Sequence, residues 1–185
     1  MSEYNVVVAI GSLRRESYNR QLATALATLF QPQFSLRQLE IGDLPPYNQD
    51  DDENQPAPAK RLKSEVRAAH GVIFVTPEYN RSIPGVLKNA IDHASRPYGD
   101  SAWKGKPAGV LGVSVGAPGT SMAQQHLRNM LAYLDMPTLA QPEIFLQMRE
   151  GMFAADGRLT NPDTRKFLQT WVDAYSAWVK KFPSV

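Results

Sequence analysis

The feature that most constrains this 185-residue chain is an unbroken apolar run that leads into a polar loop and then into a helix-periodic segment. The run is Gly71–Val75, and five apolar residues in a row predict a strand buried on both faces. Apolar residues then recur at helical spacing over residues 86–94. Strand, loop and helix in this order indicate a parallel sheet, whose ligands bind where its strands end. The loop between them, residues 76–85, is therefore a candidate site.

Short apolar runs alternate with helix-periodic segments along the whole chain. Strands are predicted at residues 4–10, 34–41, 71–75, 107–113 and 139–146, and a last helix begins at residues 161–163. This alternation predicts one α/β domain over residues 1–185, a three-layer sandwich with a five-stranded parallel sheet and helices on both faces. Five strands favour the flavodoxin-like order 2-1-3-4-5 over the six-stranded dinucleotide fold. The proline-rich, acidic stretch 44–58 is predicted to be an exposed loop.

Composition excludes several classes of function. The 20 lysines and arginines nearly balance 18 aspartates and glutamates, which does not suggest a nucleic-acid partner. The chain has no cysteine, so it has no disulfide, thiolate metal site or thiol redox chemistry of its own. No apolar stretch approaches the roughly 20 residues that cross a bilayer. Residues 1–5 lack the basic start of a signal peptide, so we expect a cytoplasmic protein with no membrane partner.

The loop after the first strand has the residue types that bind phosphate. It begins at Gly11, opens a helix, and carries the hydroxyls of Ser12 and Ser17 and the guanidinium of Arg14. A phosphate there would meet backbone N–H groups, the positive end of the helix dipole, hydroxyl donors and a cation. The spacing matches neither the P-loop nor the Gly-x-Gly-x-x-Gly dinucleotide fingerprint. It predicts an anion site, the alternative being a capped helix with solvated arginines.

Two further loops follow strands that the flavodoxin-like order makes neighbours at one sheet edge. They comprise residues 77–82 and 114–119. Tyr79 offers an aromatic surface, and Gly116 and Gly119 allow a close approach of the backbone. With one loop on a phosphate and two beside a flat ring, the arrangement suits flavin mononucleotide (FMN).

Three motifs together resemble the NADPH-dependent FMN reductase family, which includes bacterial quinone, chromate and azo-dye reductases. They are GSLRRESYN at residues 11–19, TPEYN at residues 76–80 and PGVLKNAID at residues 84–92. The likeness covers residues 6–143. It implies a flavodoxin-like fold, bound FMN, and homodimers or homotetramers with flavin sites near subunit contacts.

The resemblance also implies a role for individual residues. Carried over by position, the phosphate of FMN would be held by Ser12, Arg14, Ser17, Tyr18 and Asn19; its ring would be lined by Pro77, Glu78, Tyr79 and Asn80, with Ser114 and Gly116 on the other border. NADPH or NADH would pass hydride to flavin N5 and leave, and a quinone or similar acceptor would then take its place, a ping-pong exchange. Neither a catalytic side chain nor a metal is required. As a hypothesis from the residues, Arg81 stands at the mouth and attracts the phosphates of the nicotinamide cofactor.

Two other functions fit parts of the sequence. The Gly-x-Ser-x-Gly pattern around Ser114 matches the nucleophile elbow of α/β-hydrolases. The one histidine after it is His126, and no Asp or Glu lies between them to complete a triad in that order. A non-enzymatic electron carrier of flavodoxin type is the second alternative, although such carriers present acidic surfaces and this chain has a small basic excess.

Overall fold

A computed structural model describes residues 4–182; residues 1–3 and 183–185, which belong to the predicted domain and to the amino-terminal pattern, lie outside the described residues. Five strands form one sheet in the order β2-β1-β3-β4-β5, and every neighbouring pair is parallel. The strands are β1 (Tyr4–Ile10), β2 (Phe34–Gln38), β3 (Gly71–Val75), β4 (Ala108–Ser114) and β5 (Phe145–Gln147). The predicted flavodoxin-like order is confirmed.

Five helices cover the sheet: α1 (Tyr18–Ala27), α2 (Ala57–Arg67), α3 (Gly85–Ser95), α4 (Ser121–Tyr133) and α5 (Pro162–Val179). Two separate apolar cores show that helices lie on both of its faces. One core contains Leu62, Leu87 and Leu127 from α2, α3 and α4. The other contains Leu22 from α1 and Trp171 from α5. Because each fully buried side chain of this size contributes roughly 1.5–3 kcal/mol, these two cores hold the helices on the sheet.

The last helix begins where the sequence predicts. Asn161 is its N-cap, and its side-chain oxygen accepts the backbone N–H of Thr164 at 2.9 Å. Pro162 occupies the first helical position, where its missing N–H would have had no partner, and Asp163 places an acid in the first turn.

Two strands are shorter than predicted. β2 ends at Gln38, whereas the prediction was 34–41. The fifth strand, predicted over 139–146, comprises Phe145–Gln147 alone. Its first part does touch β4, since the N–H of Leu139 bonds to the carbonyl of Ala108 at 2.8 Å. The chain then leaves the sheet around Pro142, which has no N–H to donate to a ladder, and returns three residues later.

The stretch 44–58 is exposed for most of its length, as predicted, but it is not wholly loop. It contains a 3₁₀ helix at Gln49–Asn54, and its beginning is fastened to α3. The side-chain amide of Asn89 donates to the carbonyl oxygen of Pro45 at 2.8 Å, and Nε2 of His93 lies 2.8 Å from the same oxygen. Because His93 is buried, this contact makes it a packing residue of the fold.

Candidate functional site

The loops after β1, β3 and β4 lie side by side at the carboxyl rim of the sheet. The N–H of Gly11 bonds to the carbonyl of Val75 at 2.9 Å, and the N–H of Thr76 bonds to that of Leu111 at 3.0 Å. A Cβ added to Gly11 would lie 3.2 Å from Cδ of Pro77, so the first loop packs directly on the central one. The two loops on which the sequence argument depends are therefore neighbours.

The amino terminus of α1 presents unpaired donors at this rim. Ser17 is the buried N-cap, and its Oγ accepts the N–H of Arg20 at 3.3 Å. The carbonyl of Ser17 receives the N–H of Gln21 at 3.0 Å. Among residues 4–182, no backbone acceptor or side chain is bonded to the N–H groups of Tyr18 and Asn19. These two donors, together with the positive end of the helix dipole, form an anion site.

A cation lies over the same helix terminus. Nη2 of Arg14 donates to the carbonyl of Glu16 at 2.8 Å, and its guanidinium carbon is 5.1 Å from the centroid of the Tyr18 ring. The backbone contact and the cation–π contact hold the side chain near the first turn of α1. Ser12, at the start of this loop, is buried. The first loop therefore brings the guanidinium of Arg14 and the hydroxyl of Ser17 to the helix terminus, and it carries a second hydroxyl on Ser12, a set that suits a phosphate.

The side chain of Asn19, predicted to hold phosphate, points away from the rim. Its Nδ2 donates to the carbonyl of Val113 at 2.9 Å, and its Oδ1 accepts the N–H of Val113 at 3.0 Å. β3 has ended at this level, since its register with β4 stops at Val75 and Leu111. The buried amide of Asn19 thus replaces a strand neighbour for β4. Its side chain fixes α1 to the sheet, and its backbone N–H remains for a ligand.

The central loop forms a tight two-residue turn. Tyr79 and Ser82 exchange backbone hydrogen bonds of 2.9 and 3.0 Å. The residues between them, Asn80 and Arg81, have φ angles of 51° and 63°, as in a type I′ turn. The left-handed region is readily visited by Asn but costs an ordinary residue such as Arg roughly 1–2 kcal/mol. The turn leaves Tyr79 52% exposed and places Arg81 at its tip.

Glu78, predicted to line the ring, caps helix α4. Its Oε2 accepts the N–H groups of both Met122 and Ala123 at 3.0 Å. α4 has no acid in its own first turn, and its N-cap residue Thr120 makes no capping bond with its side chain. Sequence reasoning missed this contact across 44 residues. The lack of an acid in the first turn was the one available signal, because helix amino termini favour carboxylates.

The third loop leaves room beside its backbone. Oγ of Ser114 accepts the N–H of Gly116 at 3.3 Å. A Cβ added to Gly116 would find its nearest neighbour, Cδ of Pro118, at 3.8 Å, so a planar group can approach. Gly112, in contrast, has no free space beside its backbone, because a Cβ there would overlap the carbonyl oxygen of Thr76. The glycine that begins the Gly-x-Ser-x-Gly pattern is thus required by strand packing.

The serine-hydrolase alternative finds no pair of catalytic groups. Nδ1 of His126 lies 3.1 Å from Oγ of Ser82, on the central loop, and not beside Ser114. Within the described part of the chain, no group of three or more His, Asp or Glu side chains could hold a metal ion. The rim therefore combines backbone donors, a cation and an exposed aromatic ring.

A groove between α3 and α4 adjoins the central turn. One part is a cleft of about 490 Å³ lined by residues that include Ser82, Lys88 and His126. It continues into a second cleft of about 460 Å³ that also contains Lys88 and is bordered by Met130 and Tyr133. Tyr133 is 77% exposed.

In residues 4–182 no helix is both long enough and apolar enough to cross a membrane.

Comparison with known proteins gives consistent results. The profile of a family described as NADPH-dependent FMN reductase matches residues 4–151. A 2-hydroxy-1,4-benzoquinone reductase from Burkholderia sp. is 51% identical over 175 residues, which cover 95% of this chain and 96% of that protein. A quinone reductase from Pseudomonas putida is 51% identical over 178 residues, covering 96% and 95%. The solved structure of FerB, a flavoenzyme NAD(P)H:(acceptor) oxidoreductase from Paracoccus denitrificans, superposes with a TM-score of 0.93 at 44% identity and covers 97% of this chain and 98% of its own.

Proposed function

The chain belongs to the NADPH-dependent FMN reductase family, and on this premise we propose that it is an FMN-dependent NAD(P)H oxidoreductase that reduces quinones. The observation that carries the proposal is the amino terminus of α1, where two free N–H groups and the guanidinium of Arg14 lie at the end of the first loop, whose Gly11 packs on Pro77 in the loop of the exposed Tyr79. Chromate and azo dyes are further candidate acceptors, by membership of the family alone.

The residues present fit FMN. The phosphate would be held by the hydroxyls of Ser12 and Ser17, the guanidinium of Arg14, and the backbone N–H groups of Tyr18 and Asn19. This set supplies neutral and charged donors to one anion, which is what a phosphate dianion requires.

The ring would lie between the two other loops. Tyr79, Asn80 and Pro77 would border it on the side of the central turn. Ser114 and Gly116 would border it on the other side, where the backbone has no close neighbour. When bound, FMN supplies the hydride chemistry between the nicotinamide and the acceptor. The protein positions the reactants, and no side chain of the rim is assigned an acid or base role.

Arg81 is proposed to attract the phosphates of NADPH or NADH. It is exposed at the tip of the turn, and no residue of the described chain forms an ion pair with it. An unpaired cation at the mouth raises the local concentration of an anionic substrate.

The enzymatic function can be separated from the electron-carrier alternative by turnover. An enzyme should oxidise NAD(P)H steadily when the purified protein is given a quinone, whereas the electron-carrier alternative predicts no such turnover.

The phosphate site is tested by comparing FMN with riboflavin, which lacks the phosphate. We expect Arg14→Ala to weaken FMN binding roughly tenfold or more, since a hydrogen bond to a charged group contributes about 1.5–3 kcal/mol. Riboflavin binding should not change. Arg15→Ala is the matched control, because Arg15 is exposed in the same loop. Equal affinities of the wild-type protein for FMN and riboflavin would contradict the proposal.

We further propose that the active form is a homodimer or homotetramer in the cytoplasm, where reduced nicotinamide is available. The groove between α3 and α4 supports self-association, because it contains Met130 and the exposed Tyr133 and its other end is lined by Ser82 of the central turn. Light scattering on the eluted protein should give a multiple of 20.6 kDa, and Tyr133→Glu should lower it. A wild-type mass of one chain would end this part of the proposal.

A further inference from the structure

The Tyr79–Ser82 turn is unfavourable by itself and is held from outside. Two consecutive non-glycine residues, Asn80 and Arg81, have left-handed φ angles. A turn of this class is normally made with glycine or asparagine, and here Tyr79, Asn80 and Arg81 are all exposed. Other contacts must therefore help to keep the arginine in this conformation.

Both ends of the turn are attached to helix α4. On one side, the carboxylate of Glu78, the residue before Tyr79, accepts two N–H groups from the first turn of α4. On the other side, the hydroxyl of Ser82 lies 3.1 Å from Nδ1 of His126, one turn further along the same helix. Both N–H groups bond to the same oxygen of Glu78, at 3.0 Å each, so the cap also orients the side chain that makes it.

We propose that Glu78, Ser82 and His126 form a latch that holds the Tyr79–Ser82 turn against α4, and that Glu78 is a positioning residue and not a ring ligand. The latch fixes where Tyr79 and Arg81 stand relative to the rim. If the latch is loosened, Arg81 should be displaced from the path of NAD(P)H. This catalytic consequence rests on the function proposed above. The latch itself is a property of the polypeptide and can be tested without turnover.

The turn contains a built-in probe, because trypsin cleaves after arginine. Cleavage between Arg81 and Ser82 requires the turn to open, and its rate follows the open population when closing is fast. Glu78→Ala removes a helix cap, a change that costs about 1 kcal/mol or somewhat more. We expect release of the fragment 1–81, identified by mass spectrometry, to accelerate about fivefold to thirtyfold. Glu78→Gln should be cleaved after Arg81 at a rate within about twofold of wild type, because its one amide oxygen can still accept both N–H groups.

The matched control is Asn161→Ala, which removes the cap of α5 beside the carboxyl end of α1 and so costs a similar amount away from the turn. It should leave cleavage after Arg81 unchanged. Equal acceleration in Glu78→Ala and Asn161→Ala would mean general destabilisation and would overturn the latch, as would no acceleration in Glu78→Ala. If Glu78→Ala does not fold, Ser82→Ala, which frees His126, decides the question by the same assay, with an expected two- to threefold acceleration.

Kinetics then separate the latch from its catalytic consequence. In the FMN-loaded protein, Glu78→Ala should raise the KM for NAD(P)H several-fold with kcat within about twofold of wild type, and Glu78→Gln should restore KM. An unchanged KM together with faster cleavage would refute the catalytic consequence and leave the latch. Absence of NAD(P)H oxidation in the wild-type protein would refute the proposed function alone, because the proteolysis does not depend on it.

Discussion

Replacing Asn19 by Ala should destabilise the protein far more than removal of an exposed cofactor ligand would. The substitution deletes both hydrogen bonds to Val113, of 2.9 and 3.0 Å, in a site where Asn19 is 3% exposed and Val113 1%. It leaves a buried N–H and a buried carbonyl without partners, and each such group costs about 1–3 kcal/mol. We therefore expect a loss of roughly 3–4 kcal/mol and, for a chain of this length, a fall in Tm of about 10 °C.

Denaturant unfolding of the protein stripped of FMN is the appropriate assay, because bound FMN would itself add stability. Asn129→Ala is the control, since Asn129 is exposed on α4 and Ala is the better helix former. Asn19→Asp should be at least as damaging as Asn19→Ala at neutral pH, because a carboxylate oxygen would then face the carbonyl of Val113. An Asn19→Ala protein as stable as wild type to within about 0.5 kcal/mol would refute the reasoning.

Three further predictions follow from individual contacts. Arg81→Gly should stabilise the protein by about 1 kcal/mol, because glycine adopts a positive φ without strain, whereas Arg81→Ala should not. Equal stability of the two variants in denaturant would contradict the strain argument. Both variants should raise the KM for NAD(P)H in steady-state assays. Asp100 lies 2.7 Å from the buried ammonium of Lys63, whose hydrogen bond lowers the pKa of that carboxyl. A lowered folded-state pKa adds stability above the unfolded value and loses it as the pH falls through the folded value. Because the side chain of Asp100 is 54% exposed and water screens the pair, the advantage of wild type over Asp100→Asn near neutrality should be about 0.5–1 kcal/mol. It should shrink below about pH 4 in acid titrations of unfolding; a gap that persisted there would exclude the ion pair as its cause. Gly112→Ala should prevent normal folding, because its Cβ would overlap the carbonyl of Thr76; a variant with wild-type circular dichroism and Tm would show that the two strands can separate.

The strands could be predicted because their signals are local, and their number then favoured the flavodoxin-like order. Each buried strand is a short apolar run, and each loop that follows contains glycine, proline or polar residues. What failed was the extent of the strands at the sheet edges. At β5 the residues on either side of Pro142 read as one strand, whereas in the structure the chain bends at residues 141 and 142 and pairs with β4 again at Phe145.

The position of the site could be predicted, but the direction of several of its side chains could not. The loops of Ser17, Tyr79 and Ser114 meet because parallel strands end at one rim. Whether a polar side chain turns to the ligand or to the protein depends on which backbone groups elsewhere have no partner. Asn19 serves β4, 94 residues away, and Glu78 serves α4, 44 residues away. Unpaired backbone groups in distant segments cannot be recognised from the residues next to Asn19 or Glu78 in the sequence.

The most direct test of the account is the visible spectrum of the purified, FMN-loaded protein under anaerobic conditions. Addition of NADPH or NADH should bleach the flavin absorption, and subsequent addition of a benzoquinone should restore it, with one equivalent of each consumed per bound flavin. Flavin that stays coloured when the reduced nicotinamide is added, or a folded protein that does not bind FMN at all, would contradict the proposed function.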